Sequence, residues 1–117
     1  MLRTVSFETA KLLKEAGFKQ DCERTYHKDI FGRRVDNVSM PTTDELLEEL
    51  PYGLRDYNED YWFQIQKLKH GSFELRYTNW KHEKVLGDAN GIFQNESLPE
   101  ALAQMWLWLK KEGLICP

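Results

Sequence analysis

The stretch 61-YWFQIQKLKHGSFELRYTNW-80 decides the fold. Tyr61, Phe63 and Ile65 alternate with Trp62, Gln64 and Gln66, and Phe73, Leu75 and Tyr77 alternate with Glu74, Arg76 and Thr78. That period of two is the pattern of half-buried strands. Opposed side chains of a hairpin share a face, so the connecting loop fixes which residues meet. A two-residue loop at His70-Gly71 would set Ile65 against Arg76 and break the pattern. A three-residue loop, Lys69-His70-Gly71, sets Ile65 against Leu75 and Phe63 against Tyr77. It also gives Gly71 the left-handed position such a loop requires. In this register Trp62 and Thr78 meet on the other face.

Toward the C-terminus, 87-GDANG-91 reads as a turn and Ile92-Phe93 as a short apolar strand. The segment 97-SLPEALAQMWLWLKKEGL-114 reads as one helix. Ser97 and Glu100 have capping-box spacing, Pro99 is tolerated in the first turn, and Gly113 can end the helix. Leu98, Ala101, Leu102, Met105 and Leu109 form one stripe, flanked by Trp106 and Trp108. Leu107 lies roughly opposite. Either another segment of the chain covers it or it marks an interface, and an interface is the preferred reading.

Toward the N-terminus, 41-PTTDELLEELP-51 is a short helix between prolines, with a capping box at Thr42 and Glu45 and an apolar face of Leu46, Leu47 and Leu50. The first helix is capped by Ser6, stapled by Val5 and Ala10, and ended by Gly17 at C′ with Phe18 at C″. Its expected inward face is Phe7, Ala10, Leu13 and Ala16. Residues 20–40 carry weak signals: a short strand at Arg24–Tyr26 and an anchor at Ile30-Phe31. The order helix, weak strand, helix, hairpin, weak strand, helix predicts a single α+β domain over residues 1–117. A small antiparallel sheet built on the 61–80 hairpin is covered on one face by the N-terminal, middle and C-terminal helices.

A chain of 117 residues can bury one modest core. Four Trp, five Tyr and six Phe are many for that core and point either to aromatic packing or to an aromatic contact surface. The two cysteines, Cys22 and Cys116, and an amphipathic start without a continuous apolar run predict a cytoplasmic protein with no membrane association. A disulfide between the chain ends is the less favoured alternative.

No chemistry-bearing constellation emerges. His27, His70 and His82 lack metal-site spacing. If Gly91 were the sixth position of a calcium loop, Leu86 and Ser97 would stand where carboxylates are required. Neither a phosphate-binding glycine loop nor a nucleophile elbow occurs, and Glu23 does not help Cys22 ionise. Asp44, Glu45, Glu48 and Glu49 read as the solvated face of a short helix. No cofactor, metal or catalytic residue is expected.

Net charge is −3, yet residues 61–84 carry five Lys/Arg against two Glu. Lys67, Lys69, Arg76, Lys81 and Lys84 are interleaved with Trp62, Tyr77 and Trp80, as on a sheet that holds single-stranded nucleic acid. Gln64 opposite Arg76, and Gln66 opposite Glu74, are equally ordinary solvent-facing pairs, and nucleic acid is disfavoured.

The order "VSFETAKLLKEAGF", "PTTDELLEELP", "YWFQI" and "SLPEALAQMWLWLKKEGLI" resembles a group of uncharacterised small proteins encoded by bacteriophages and prophages of gut bacteria. The resemblance covers most of the chain outside residues 20–40. It implies an accessory protein in the bacterial host and transfers no catalytic residue, because the shared motifs are helix caps and packing positions.

The favoured reading is a non-enzymatic interaction module for a host or phage protein, with Trp62, Arg76, Trp80, Trp106, Leu107 and Trp108 as candidate surface residues. A small-ligand binder or unrecognised enzyme is the second reading, and a single-stranded nucleic-acid binder the third. Self-association is compatible with each.

Overall fold

The hairpin forms in the expected register: Trp62 opposes Thr78, Phe63 opposes Tyr77 and Ile65 opposes Leu75. Leu68 and Ser72 close the loop through an N–H to carbonyl bond of 2.7 Å, leaving three residues between them, and Gly71 takes φ +91°. A computed structural model describes residues 4–18, 41–56, 58–79, 81 and 84–115, together with the backbone of 25–26, 29–30, 33–34 and 38–39. Arg24, Phe31, Trp80, Cys22, Cys116, His27 and His82 lie outside the described residues.

In chain order the elements are α1 (Phe7–Glu15), β1 (Thr25–Tyr26), β2 (Asp29–Ile30), β3 (Arg33–Arg34), β4 (Val38–Ser39), α2 (Thr43–Glu49), β5 (Gly53–Asp56), β6 (Glu59–Lys67), β7 (Phe73–Thr78), β8 (Phe93–Asn95) and α3 (Leu98–Lys111). The main sheet is antiparallel in the order β5-β6-β7-β8. Two ladders of two residues, β1 with β4 and β2 with β3, account for described backbone in the segment that carried only weak signals. The architecture is therefore α+β, with helices packed against an antiparallel sheet.

The sheet has one more strand than its sequence pattern suggested. β5 joins β6 through residues 57–58, where Asn58 takes φ +66°. Leu54 pairs with Tyr61 across that turn. In a two-residue hairpin connection, Asn supplies the positive φ that other residues resist.

Both long helices end as expected. In α1, Phe18 N–H reaches Leu13 O and Gly17 N–H reaches Lys14 O, with Gly17 at φ +93°. In α3, Leu114 and Gly113 repeat the pattern on Leu109 and Lys110. These paired bonds satisfy carbonyls that a helix end leaves orphaned. The Thr42–Glu45 capping box of α2 is complete, at 2.9 and 3.3 Å.

The capping box expected at α3 is only half formed. Ser97 Oγ accepts from Glu100 N–H, but the Ser97 N–H donates to Asn95 Oδ1 at 2.9 Å. The Glu100 carboxylate turns instead to α1, accepting from the Ser6 N–H and from Thr9 Oγ1. A carboxylate at a helix N-terminus satisfies orphan donors and complements the dipole, and the N-terminus it serves need not be its own.

α3 is the centre of the packing. It lies against β7 and β8 on one side and against α2 and α1 on others. Ala101, Leu102, Ala103, Met105, Trp106 and Leu109 are all buried. On a helical wheel they cover an arc of about 200°, far wider than the stripe that faces a sheet alone. Leu107 falls beside Ala103 at the rim of that arc, half-buried and packed against the core. Ile65 departs from its expected inward role. It remains 41% exposed because α3 covers β7 and β8, while Ile65 sits on β6 beyond that cover.

Candidate functional site

The sheet turns two different faces outward. On the helix side, Leu75 and Tyr77 are fully buried, and the Phe63 ring packs at a tilt of 45° against Tyr77 with centroids 5.2 Å apart. The Tyr77 hydroxyl donates to Pro51 O at 2.8 Å, and burial pushes its phenol well above the usual value. A neutral phenol donating to a carbonyl just after α2 is a structural tie between sheet and helix layer.

On the opposite face the polar side chains satisfy one another. Arg76 donates to Gln66 Oε1 at 3.1 Å and lies 3.6 Å from Glu74, and Gln94 donates to Glu74 at 3.3 Å. The pairs link β6, β7 and β8 across the face. Arg76 is thereby neutralised by its neighbour on the same strand, and Tyr77 is not available to stack a base. The cation-and-aromatic arrangement suggested by the sequence is not assembled from these two residues.

Among the described residues Trp62 is the exposed aromatic of this face, at 49%. Its position follows from Gly53, its partner in β5. A Cβ on Gly53 would lie 2.8 Å from Trp62 Cζ3 and 2.9 Å from Cε3, so the indole rests on bare backbone. Glycine here permits close approach, and the ring shields the part of the strand that lacks a side chain. Tyr52, one residue earlier, is 92% exposed.

β5 is an edge of the main sheet. Phe63 N–H donates to Tyr52 O at 2.9 Å, which fixes the alternation of the antiparallel ladder. Leu54 therefore points its backbone groups at β6, and Gly53 and Arg55 point theirs outward. Arg55 lies 3.9 Å from Asp60 in an exposed pair worth little to stability. An open strand edge beside two exposed aromatics is the arrangement that accepts an added strand.

The six residues singled out from the sequence do not share one surface. Trp62 and Arg76 lie on the sheet face opposite the helices. Trp106 is buried, its ring edge-on to Phe18 at 5.0 Å and with Lys110 Nζ 5.8 Å from its centroid. Trp108 is half-buried over Phe93, 6.0 Å between centroids, and against the backbone of Gly87 and Gly91. Leu107 borders the core, and Trp80 is outside the described residues. Sequence reasoning missed Tyr52 and the β5 edge. The signal for them was Asn58 between Leu54 and Tyr61, two apolar residues at the spacing of a tight hairpin.

Among the described residues no group of three or more His, Cys, Asp or Glu could hold a metal ion. No described helix is long and apolar enough to cross a membrane. Neither a known protein family, nor a curated protein, nor a solved structure matches this chain.

Proposed function

We propose that the protein is a non-enzymatic interaction module that takes an extended segment of a partner protein onto the open edge of β5. The observation that carries this reading is the conjunction of that edge with Trp62 and Tyr52, which remain 49% and 92% exposed. Main-chain hydrogen bonds from Gly53 and Arg55 supply register and affinity, and Trp62 supplies a rigid apolar contact. The resemblance of the helical segments to phage and prophage proteins is the reason for assigning the module to a phage accessory role in the cytoplasm of a bacterial host. A second copy of the chain can use the same edge, so self-association is part of the reading.

The test is selection of peptides from a random display library on the wild type, followed by measurement on Arg55→Pro. Proline at position 55 removes an outward N–H and leaves the inward ladder to β6 intact. Selected peptides are expected to bind wild type, to protect the Gly53 and Arg55 amides from hydrogen exchange, and to lose binding to Arg55→Pro. Arg55→Ala is expected to keep binding. Peptides that bind both forms alike would refute the edge as the docking site.

A further inference from the structure

We infer that the β5 edge selects a basic partner segment, one with a bulky apolar residue and a Lys or Arg two positions apart; this deepens the edge-docking reading and rests on it. Two hollows flank Leu114, which follows the Glu112 cap and Gly113 at the end of α3. The larger, about 570 Å³, has an apolar floor that includes Phe18, Leu50, Leu54, Trp106 and Ile115. The smaller, about 230 Å³, lies against Trp108 and Leu86. β5 contributes to both, through Leu54 to the first and Asp56 to the second.

Among the described residues that line these hollows, carboxylates outnumber cations. Glu48 and Glu49 border the larger, and Asp56 and Glu112 the smaller, against Lys110 as the cation among the described lining residues. Lys110 is itself drawn toward the Trp106 ring. The end of α2 adds to this, because a helix C-terminus carries partial negative charge, whereas Lys110 and Lys111 stand in the last turn of α3. α2 has no basic residue in its last turn and closes on Glu48-Glu49 instead. Glu48 and Glu49 have interactions of their own. What counts is the surplus of carboxylates over cations at Asp56 and Glu112, among the described residues that line the smaller hollow.

Strand geometry turns that surplus into a sequence preference. Leu54 and Asp56 are two residues apart and share a face of β5. A strand added along β5 sends every second side chain to the same face. An apolar side chain then falls beside the Leu54 hollow, and the residue two positions away falls beside Asp56. A cation there meets carboxylates from β5 and from the cap of α3.

The test uses fluorescein-labelled eleven-residue peptides with Leu and Lys alternating at every second position and Thr between, and counterparts with Glu or Ser replacing Lys. Anisotropy on the full chain in about 50 mM NaCl is expected to give about tenfold tighter binding of the Lys peptide than the Glu peptide, a preference that shrinks in about 500 mM NaCl. Glu48→Gln/Glu49→Gln/Asp56→Asn/Glu112→Gln is expected to erase the preference while still binding the Ser peptide. Glu112→Gln alone, at an exposed cap, is expected to weaken the preference and guards against a folding defect in the combined variant. Equal affinity for all three peptides, abolished by Arg55→Pro, would overturn the charge inference and leave edge docking standing. A Lys preference lost in the carboxylate variant but indifferent to Arg55→Pro would overturn edge docking and with it the strand-based spacing. No binding of any peptide would overturn the inference outright.

Discussion

Glu100 Oε2 accepts a hydrogen bond from Thr9 Oγ1 at 2.6 Å, which ties the first turn of α3 to the first turn of α1. The other carboxylate oxygen accepts from the Ser6 N–H. One side chain thus serves as the N-terminal anion of a helix remote in sequence. Hydrogen bonds to a charged group contribute about 1.5–3 kcal/mol. Glu100→Ala is expected to lower unfolding free energy by about that amount in urea titration. Ser97→Ala, which removes the local cap of α3, should cost about 1 kcal/mol. Glu100→Ala and Thr9→Val should be non-additive by at least ~0.5 kcal/mol. Additive losses would show that the bridge does not couple the helices.

The turn under Trp108 admits no side chain. A Cβ on Gly91 would lie 1.8 Å from Leu86 O, and backbone cannot swing aside. On Gly87 it would meet the tip of the Trp108 ring at 2.4 Å, at a residue already held at φ +77°. Gly91→Ala and Gly87→Ala are each expected to destabilise by about 1–3 kcal/mol. Trp108→Leu should recover part of the Gly87→Ala loss and little of the Gly91→Ala loss. Equal recovery of both would mean the ring, not the Leu86 carbonyl, limits position 91.

Tyr77 gives the fold an alkaline limit. Its phenol is held protonated by burial, whereas an unfolded tyrosine ionises near pH 10. Above that pH the unfolded state releases a proton that the folded state retains, so stability falls as pH rises. Tyr77→Phe is expected to cost about 1 kcal/mol at pH 8 through loss of the bond to Pro51 O. The gap should narrow as pH climbs past about 10, because only wild type carries the linked proton. Urea titrations of both proteins from pH 8 to 11 check the sign; parallel curves would exclude Tyr77 as the cause.

Leu107 separates packing from association. It is half-buried against the core, at the rim of the arc that α3 buries. Leu107→Glu is expected to lower stability by about 1–3 kcal/mol and to leave the molar mass by light scattering equal to that of wild type. A fall in mass without loss of stability would make position 107 an interface residue.

The hairpin register was legible because its evidence is local: alternation on two short runs and a glycine at a set offset. The same holds for the helix ends, where Ser6, Thr42, Ser97, Gly17 and Gly113 act on backbone within a few residues of themselves. β5 was hard to read because a four-residue edge strand containing Gly53 and Arg55 has little apolar alternation, and its stability comes from β6. The ladders in residues 25–39 are two residues long, too short for any period to register. Among the candidate surface residues, Trp62 was legible as outward-facing from its register, whereas the fate of Trp106 depended on Phe18, which no periodicity links to it.

What this sequence determined by itself is the set of elements with their own caps, turns and alternation, and the α+β class that their order allows. Only the tertiary structure decided how α3 uses its second apolar side. Lying between the sheet and the other two helices, α3 buries residues that a single contact face would leave in water. The same arrangement sends Glu100 to α1 and leaves β5 as an open edge beside an acidic hollow. Caps and turns are set by neighbours in the chain, whereas burial and partner choice are set by whatever the completed fold brings within reach.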